Sequence, residues 1–480
     1  MKQHLKPTIV LAVTLVLFVL GWVAVQAHAR SSRLGYAIQA QRPHDPHSVL
    51  VKFAPDALSP LKRTPGARHL FGDWYQIPVS EGKTTVEWMN ALAARDDVAL
   101  VELNYLLHLD DMESWLGGAS SRRGNAYPDD PLYSRQWHLP MVQSQEAWDV
   151  SRGENVIVAV VDSGVSKGDD LACRTFVAPY NAITDAPNAV AAEDQNGHGT
   201  HVAGTIGQCT DNGIGVAGMA PDVKLMPVRV LDANGNGTMA GAAAGINWAV
   251  DHGARIINLS LGMRCYDRVW PDCSGSVVND AIDRATAQDV LIVAAAGNSS
   301  DNTLYFPANH PDVLAVAAVD YNQKHAWYSN KSDALDISAP GGDTSQDVNQ
   351  DGFPDGIYQQ TFVSPGVWDY YYKQGTSMAA PHVSGAAALL WSYFPSASRK
   401  NIMAALLASA KDLGDPGFDV IYGHGLLQAA TALRTLRDTL ITPTPTRTPT
   451  PTFTPTPANL YLPYLMPAAP TPRPAALGAH

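Results

Sequence analysis

The sequence predicts an α/β protein in which a parallel β-sheet is flanked by helices, with a small α+β unit before it and a Pro/Thr-rich tail after it. Three observations carry that expectation. Residues 154–435 alternate short runs such as VIVAVV, VKLMPVRVL, RIINLSL and VLIVAAAG with longer small-residue stretches such as THVAGTIGQ and MAGAAAGINWAVDHG. Strands apolar on both faces that alternate with helices describe a buried parallel sheet, whose chemistry belongs at the carboxyl ends of the strands. Residues 47–109 read strand, loop, strand, helix, strand, and after Leu440 comes TPTPTRTPTPTFTPTPA, an extended spacer with no means of building a core.

Composition sets the outer limits. The chain has 480 residues, 46% of them hydrophobic and 16% charged, enough to bury at least one large core. A formal net charge of -12 gives phosphates no reason to bind, so nucleic acid is not an expected partner.

Taken from the N-terminus, residues 1–29 place Lys2 and Lys6 before an apolar stretch from Ile9 to Val25 and then Ala27-His28-Ala29, the order of a secretory signal with its cleavage site. The alternative is an uncleaved anchor, since 17 apolar residues approach the length of a spanning helix. Residues 30–46 form a leader, and 47–109 the α+β unit. Residues 110–126, polar and aperiodic with Arg122-Arg123 near the centre, read as a linker open to cleavage. The main domain spans 127–438, the Pro/Thr linker 439–458, and the last segment 459–480. That last segment contains NLYLPYLMPAAP, broken by Pro463; it suits an attachment or sorting signal, a docking peptide or a plain tail.

Four cysteines, Cys173, Cys209, Cys265 and Cys273, lie in the middle of the chain. Export would let disulfides persist, and three pairings exist. Cys265 with Cys273 would staple a loop rich in Asp, Gly and Pro, leaving Cys173 with Cys209.

Three motifs sit at strand ends or helix starts: VIVAVVDSGV ends a strand on Asp162, DQNGHGTHVAG opens a helix after His198, and GTSMAAPHVSG opens another at Ser377. Taken singly, each has an ordinary reading, as a helix cap, a solvated turn histidine and an N-cap serine. Together they supply a hydroxyl, a base to remove its proton, and a carboxylate to fix the base's tautomer and stabilise its charged form.

The order Asp, His, Ser, with separations of 36 and 179 residues, and the sequences around the three resemble the subtilase family of serine endopeptidases over residues 127–435. The resemblance implies that Asp162 orients, His198 acts as general base and acid, and Ser377 attacks. It implies that Asn298, in VAAAGNSS, joins the amide of Ser377 in an oxyanion hole. Ser260, Leu261 and Gly262, in NLSLG, resemble the edge that pairs with a polypeptide substrate, and Ala295, Ala296 and Gly297 one wall of its primary specificity pocket. Small residues there imply room for a bulky apolar or aromatic side chain before the scissile bond. The sharp turn at Gly375-Thr376 is expected to present Ser377 in the first turn of a helix, with Pro381 tolerated there. His201 and His382 are expected to be packed.

The unit at 47–109 resembles the propeptides of that family, which fold the enzyme and then inhibit it, so self-cleavage is expected between about Leu109 and Tyr127. DPLYSRQWHL at 130–139 resembles the start of mature members. Asp347, Asn349, Asp351 and Asp355 place oxygen ligands at alternate positions around Gly352, as in the first part of a calcium loop; Tyr358 stands where that pattern has its bidentate glutamate. The expectation is a secreted, calcium-supported, monomeric endopeptidase, associated with the cell surface if the C-terminal segment tethers it. A catalytically silent binding protein is the alternative from another class. An esterase is disfavoured because G-x-S-x-G is missing and the order of the three residues is wrong.

Overall fold

A computed structural model describes residues 44–55, 64, 66–109, 112–116, 128–264 and 276–441. The signal-like and tail segments, Arg122-Arg123, Cys265 and Cys273 lie outside them. The chain forms one compact unit to Thr439, which holds every element described here apart from the last two residues of the final helix.

The N-terminal part builds β1 (His44–Phe53), β2 (Arg68–Phe71), β3 (Trp74–Pro78), helix α1 (Thr85–Ala93) and β4 (Val98–His108). Helix α1 begins where Thr84 and Glu87 bond each other's backbone amides in a reciprocal cap. Strand β2, four residues of RHLF, adds a strand that the polar loop had concealed. The sheet order is β2-β3-β1-β4, extended by the short β9 (Asn236–Thr238) of the main domain. Residues 112–116 form β5, so part of the expected linker is a strand.

The main domain is built on seven parallel strands in the order β13-β12-β11-β10-β6-β8-β7. These are β6 (Ile157–Asp162), β7 (Tyr180–Asn181), β8 (Lys224–Arg229), β10 (Ile256–Leu259), β11 (Leu291–Ala295), β12 (Leu314–Val319) and β13 (Ile337–Pro340). Successive residues of β6 serve opposite faces. Val158 and Val160 join one apolar cluster with α2 (His198–Gly207) and α5 (Thr376–Tyr393), while Ala159 and Val161 join the other with α3 (Met239–Asp251) and α4 (Ser276–Ala287). Full burial of each such valine is worth roughly 1.5–3 kcal/mol, which is why both faces must be covered. Helix α5, rich in alanine, packs against β10, β11, β12 and β13. Two further helices, α6 (Arg399–Ala408) and α7 (Ala429–Ile441), complete the cover.

Several features depart from simple alternation. Strand β11 passes to β12, and β12 to β13, without a helix, the first through a loop containing the cis peptide Phe306-Pro307. An antiparallel hairpin, β14 (Ile357–Phe362) and β15 (Trp368–Gln374), precedes α5, and β5 pairs with β15. Cys173 and Cys209 are bridged, tying the loop after β6 to the end of α2.

Candidate active site

Asp162 is the last residue of β6 and His198 the first of α2, so one strand end and one helix start bring them together. His198 Nδ1–H donates to Asp162 Oδ1 at 2.8 Å, with both side chains buried. The carboxylate can only accept, so the proton sits on Nδ1 and Nε2 is left as a base. Gly199 permits this approach: a Cβ there would collide with the Gly164 carbonyl and come within 3.1 Å of Asp162 Cβ and Oδ1.

A residue not singled out by the sequence holds the pair in place. Asp194 is buried and accepts hydrogen bonds from Asn196 N, Gly197 N, Thr200 N, Thr200 Oγ1 and Ser163 Oγ at 2.7–3.0 Å. One carboxylate thereby joins the turn that delivers His198 to the residue after Asp162. Its place in DQNGHGTHVAG was visible, but its donors come from two segments.

Ser377 is the second residue of α5, and its Oγ donates to Ser260 O at 3.2 Å. Gly375, with φ +144°, makes the turn and, as the N-cap, has no side chain of its own to cap the helix. Asn298 Oδ1 accepts from Thr376 N at 2.9 Å and from Thr376 Oγ1 at 2.8 Å. That turns its amide nitrogen outward. A Cβ on Gly375 would lie 3.4 Å from Asn298 Nδ2 and 3.7 Å from Ser377 N, so both donors border one small space. Two N–H groups and a helix N-terminus beside one space favour negative charge there.

The expectation for Pro381 needs correction. It is the sixth residue of α5, beyond the first turn, so its missing N–H deprives the Ser377 carbonyl of its partner. Ser260 Oγ supplies the replacement at 2.8 Å and is itself held by Asn258 Nδ2 at 2.9 Å.

Ser260, Leu261 and Gly262 follow β10, and Ala295, Ala296 and Gly297 close the neighbouring β11. The end of β4 lies between β9 and the first of these edges. Leu107 is opposite Gly237, His108 bridges to Gly262, and Leu109 N donates to Gly235 O at 3.0 Å. The N-terminal unit is anchored elsewhere too. Asn104 Oδ1 accepts from Ala240 N and Glu102 Oε1 from Val277 N, each at 3.1 Å, so β4 caps the starts of both α3 and α4. Lys52 Nζ and Trp74 Nε1 donate to Asp280 Oδ2 at 2.6 and 2.8 Å.

His201 and His382 are packed. His201 Nε2 donates to Ile357 O at 3.0 Å, and burial holds its pKa well below the ordinary value. His382 Nδ1 donates to Met378 O at 2.8 Å and Nε2 accepts from His138 Nδ1 at 2.7 Å; burial pushes it down to about 4. Both are buried and neutral, with His201 Nε2 and both nitrogens of His382 engaged, so neither competes with His198.

Two regions offer oxygen ligands. In the expected loop, Asp347, Asn349 and Asp351 mostly accept from the loop's own amides, at 2.9–3.1 Å. Asp355 is buried, with Oδ2 accepting from Val348 N and Oδ1 having no partner. Burial, with the charges of Asp347 and Asp351 nearby, pushes Asp355 up to about 6. Tyr358, where a glutamate would complete such a loop, is buried against Tyr372 with ring centroids 4.2 Å apart. The second region was not read from the sequence. Asp129, Asp130 and Asp211 bring one oxygen each within 4.8 Å of one another. Asn212 links them to Asp170, its backbone donating to Asp130 Oδ1 and its side chain to Asp170 Oδ1. Burial pushes Asp130 up to about 6 and Asp170 to about 7. These acids come from three distant segments, and no spacing in the sequence announces them.

Residues 153–425 match the model of the subtilase family. An alkaline protease of Alkalihalobacillus alcalophilus is 34% identical over 381 residues, covering 75% of this chain and 91% of that protein. Subtilisin Savinase of Lederbergia lenta is 38% identical over 299 residues, 62% of this chain and 98% of that protein. Among solved structures, fervidolysin from Fervidobacterium pennivorans, a keratinolytic enzyme related to subtilisin, superposes with a TM-score of 0.66 at 28% identity, covering 82% of this chain and 61% of that one. With a parallel sheet that brings an aspartate and a histidine into contact at its carboxyl edge, and with matches of this extent, the chain belongs to the subtilase family of serine endopeptidases.

Proposed function

We propose that this protein is a secreted endopeptidase, made as a self-processed precursor, that cuts polypeptides with Asp162, His198 and Ser377. The observation that carries the reading is the buried Asp162–His198 hydrogen bond, which fixes the imidazole through Nδ1 at the same sheet edge as a serine at a helix start. His198 Nε2 takes the proton of Ser377 as Oγ attacks the scissile carbonyl. The resulting oxyanion enters the space bordered by Asn298 Nδ2 and Ser377 N, where losing one donor costs about 3–4 kcal/mol. His198 then gives its proton to the departing amine, and water releases the acyl group by the reverse path.

The N-terminal unit serves as an intramolecular inhibitor. Support comes from the route of the chain: Leu109 is bonded beside Gly235, and Met112 pairs with Gln374, three residues before Ser377. Self-cleavage falls in the segment between about Leu109 and Tyr127, which leads away from these contacts. Residues 1–29 direct export, and no helix of the described residues is long and apolar enough to cross a membrane. The segment at 459–480 is kept as a surface attachment.

Calcium supports the fold. Oxygen-only donor sets suit a hard cation, and the unpartnered Oδ1 of Asp355 and the buried Asp130 and Asp170 are carboxylates that such a cation would keep ionised. Its contribution is structural, at Asp347, Asn349, Asp351 and Asp355 and at Asp129, Asp130 and Asp211, the last group linked through Asn212 to Asp170.

The test is secretion of the full chain and of Ser377→Ala side by side. The wild type is expected to yield a mature terminus between residues 110 and 127 and to degrade casein, while Ser377→Ala accumulates intact precursor. Processing and activity in both would remove Ser377 as the nucleophile.

A further inference from the structure

The walls of the primary pocket are made of small residues, yet the slot between them is filled. Tyr305 N donates to Ala296 O at 2.9 Å, and the next residue, Phe306, exchanges backbone bonds with Met263 at 2.9 and 3.1 Å. The segment 305–306 thus spans from one wall to the other. A Cβ on Gly297 would lie 2.6 Å from both Cγ and Cδ1 of Tyr305, and one on Gly262 would lie 3.2 Å from its Cβ and 3.5 Å from its Cδ2. The ring therefore stands between Gly262 on one wall and Gly297 on the other. It is buried, and its hydroxyl lies 2.5 Å from Ser299 Oγ, which holds the far end of the ring. It shares one cavity with Ser260, Asn298 and Ser377, so it sits where a substrate side chain would enter.

We infer that Tyr305 is the specificity-determining residue of this enzyme and restricts the position before the scissile bond to small side chains, those of glycine, alanine and serine. The glycines supply space for the tyrosine rather than for the substrate, which reverses the expectation of a bulky or aromatic preference. The inference rests on the endopeptidase reading above. A large side chain can enter only by displacing a ring that is packed on both faces and bonded at its tip.

The test uses the mature wild-type enzyme on synthetic peptides that differ only in the residue before one scissile bond. Alanine and serine are expected to exceed phenylalanine and tyrosine in kcat/KM by about 10- to 200-fold, the range that pocket size alone can give. Tyr305→Ala should raise kcat/KM for phenylalanine at least about tenfold with little change for alanine, and Tyr305→Phe should keep the wild-type ranking. Wild-type cleavage after phenylalanine as fast as after alanine overturns this inference alone. Failure to cut any peptide overturns the endopeptidase reading and takes this inference with it. The wild-type ranking decides even if Tyr305→Ala does not fold.

Discussion

Ser260 Oγ donates to the carbonyl oxygen of Ser377 at 2.8 Å. This bond answers a defect in the helix, because Pro381 has no N–H to offer that carbonyl. It also ties the start of α5 to the edge on which substrate is proposed to lie. An exchange of partner from helix to sheet holds Ser377 against β10 without a full helical hydrogen-bond ladder.

Ser260→Ala leaves that buried carbonyl unpaired. The expected loss is about 1–3 kcal/mol. Pro381→Ala restores an N–H, so the double variant should lose less than the sum of the two single changes. Urea unfolding of all four proteins checks this; strict additivity would show that the two residues do not share the carbonyl.

Asp194→Asn keeps the size of the side chain but puts a donor where the carboxylate accepts five hydrogen bonds. The turn before His198 should loosen and misplace the imidazole. We expect kcat to fall about 10- to 100-fold with KM nearly unchanged. Steady-state kinetics on a chromogenic peptide reads this, and a variant that lost only thermal stability at full kcat would deny Asp194 a positioning role.

The buried His382 gives the protein an acid-sensitive interior. Its folded pKa is depressed to about 4 by burial, against an ordinary value of about 6.5. Its contribution is therefore intact above the unfolded value and is lost as pH falls from about 6.5 toward about 4, at up to about 1.4 kcal/mol per pH unit. His138 and His201, also pushed down by burial, act in the same direction, while Asp130, Asp336 and Asp355, pushed up to about 6, and Asp170, pushed up to about 7, oppose them. Measured against the wild type, His382→Asn should gain unfolding free energy as pH falls from 7 to 5, because it lacks the proton uptake that unfolding allows His382. An unchanged slope in that variant would mean that His382 is not the titrating group.

Removal of divalent cations should lower the melting temperature by about 5–10 °C, the shift produced by a ligand at about a hundred times its dissociation constant. Asp130→Asn should abolish most of the effect if the cluster around Asp130 and Asp170 holds the dominant ion, and Asp355→Asn if the loop at 347–355 does. Calorimetry with and without chelator separates the two. No shift in the wild type would exclude a stabilising ion.

Much of this protein was legible in its sequence. The alternation of β-branched runs with alanine- and glycine-rich stretches determined a parallel sheet with helices on both faces. The motifs around Asp162, His198 and Ser377 put these residues at a strand end and at two helix starts, as the structure has them. These features are encoded locally, by side-chain volume, periodicity and turn chemistry within a dozen residues.

Tertiary structure alone decided the rest. The hairpin β14–β15 was hidden because its tyrosine-rich strands follow an acidic loop. The five donors to Asp194 come from two segments, the acids at Asp129, Asp130, Asp170 and Asp211 from three, and the substitute bond for Ser377 from Ser260, 117 residues away. Tyr305 shows the limit most clearly. Small residues at Gly262 and Gly297 announce a space, but which ring fills it depends on how a distant loop crosses two strands, and packing between such segments leaves no period in the sequence to read.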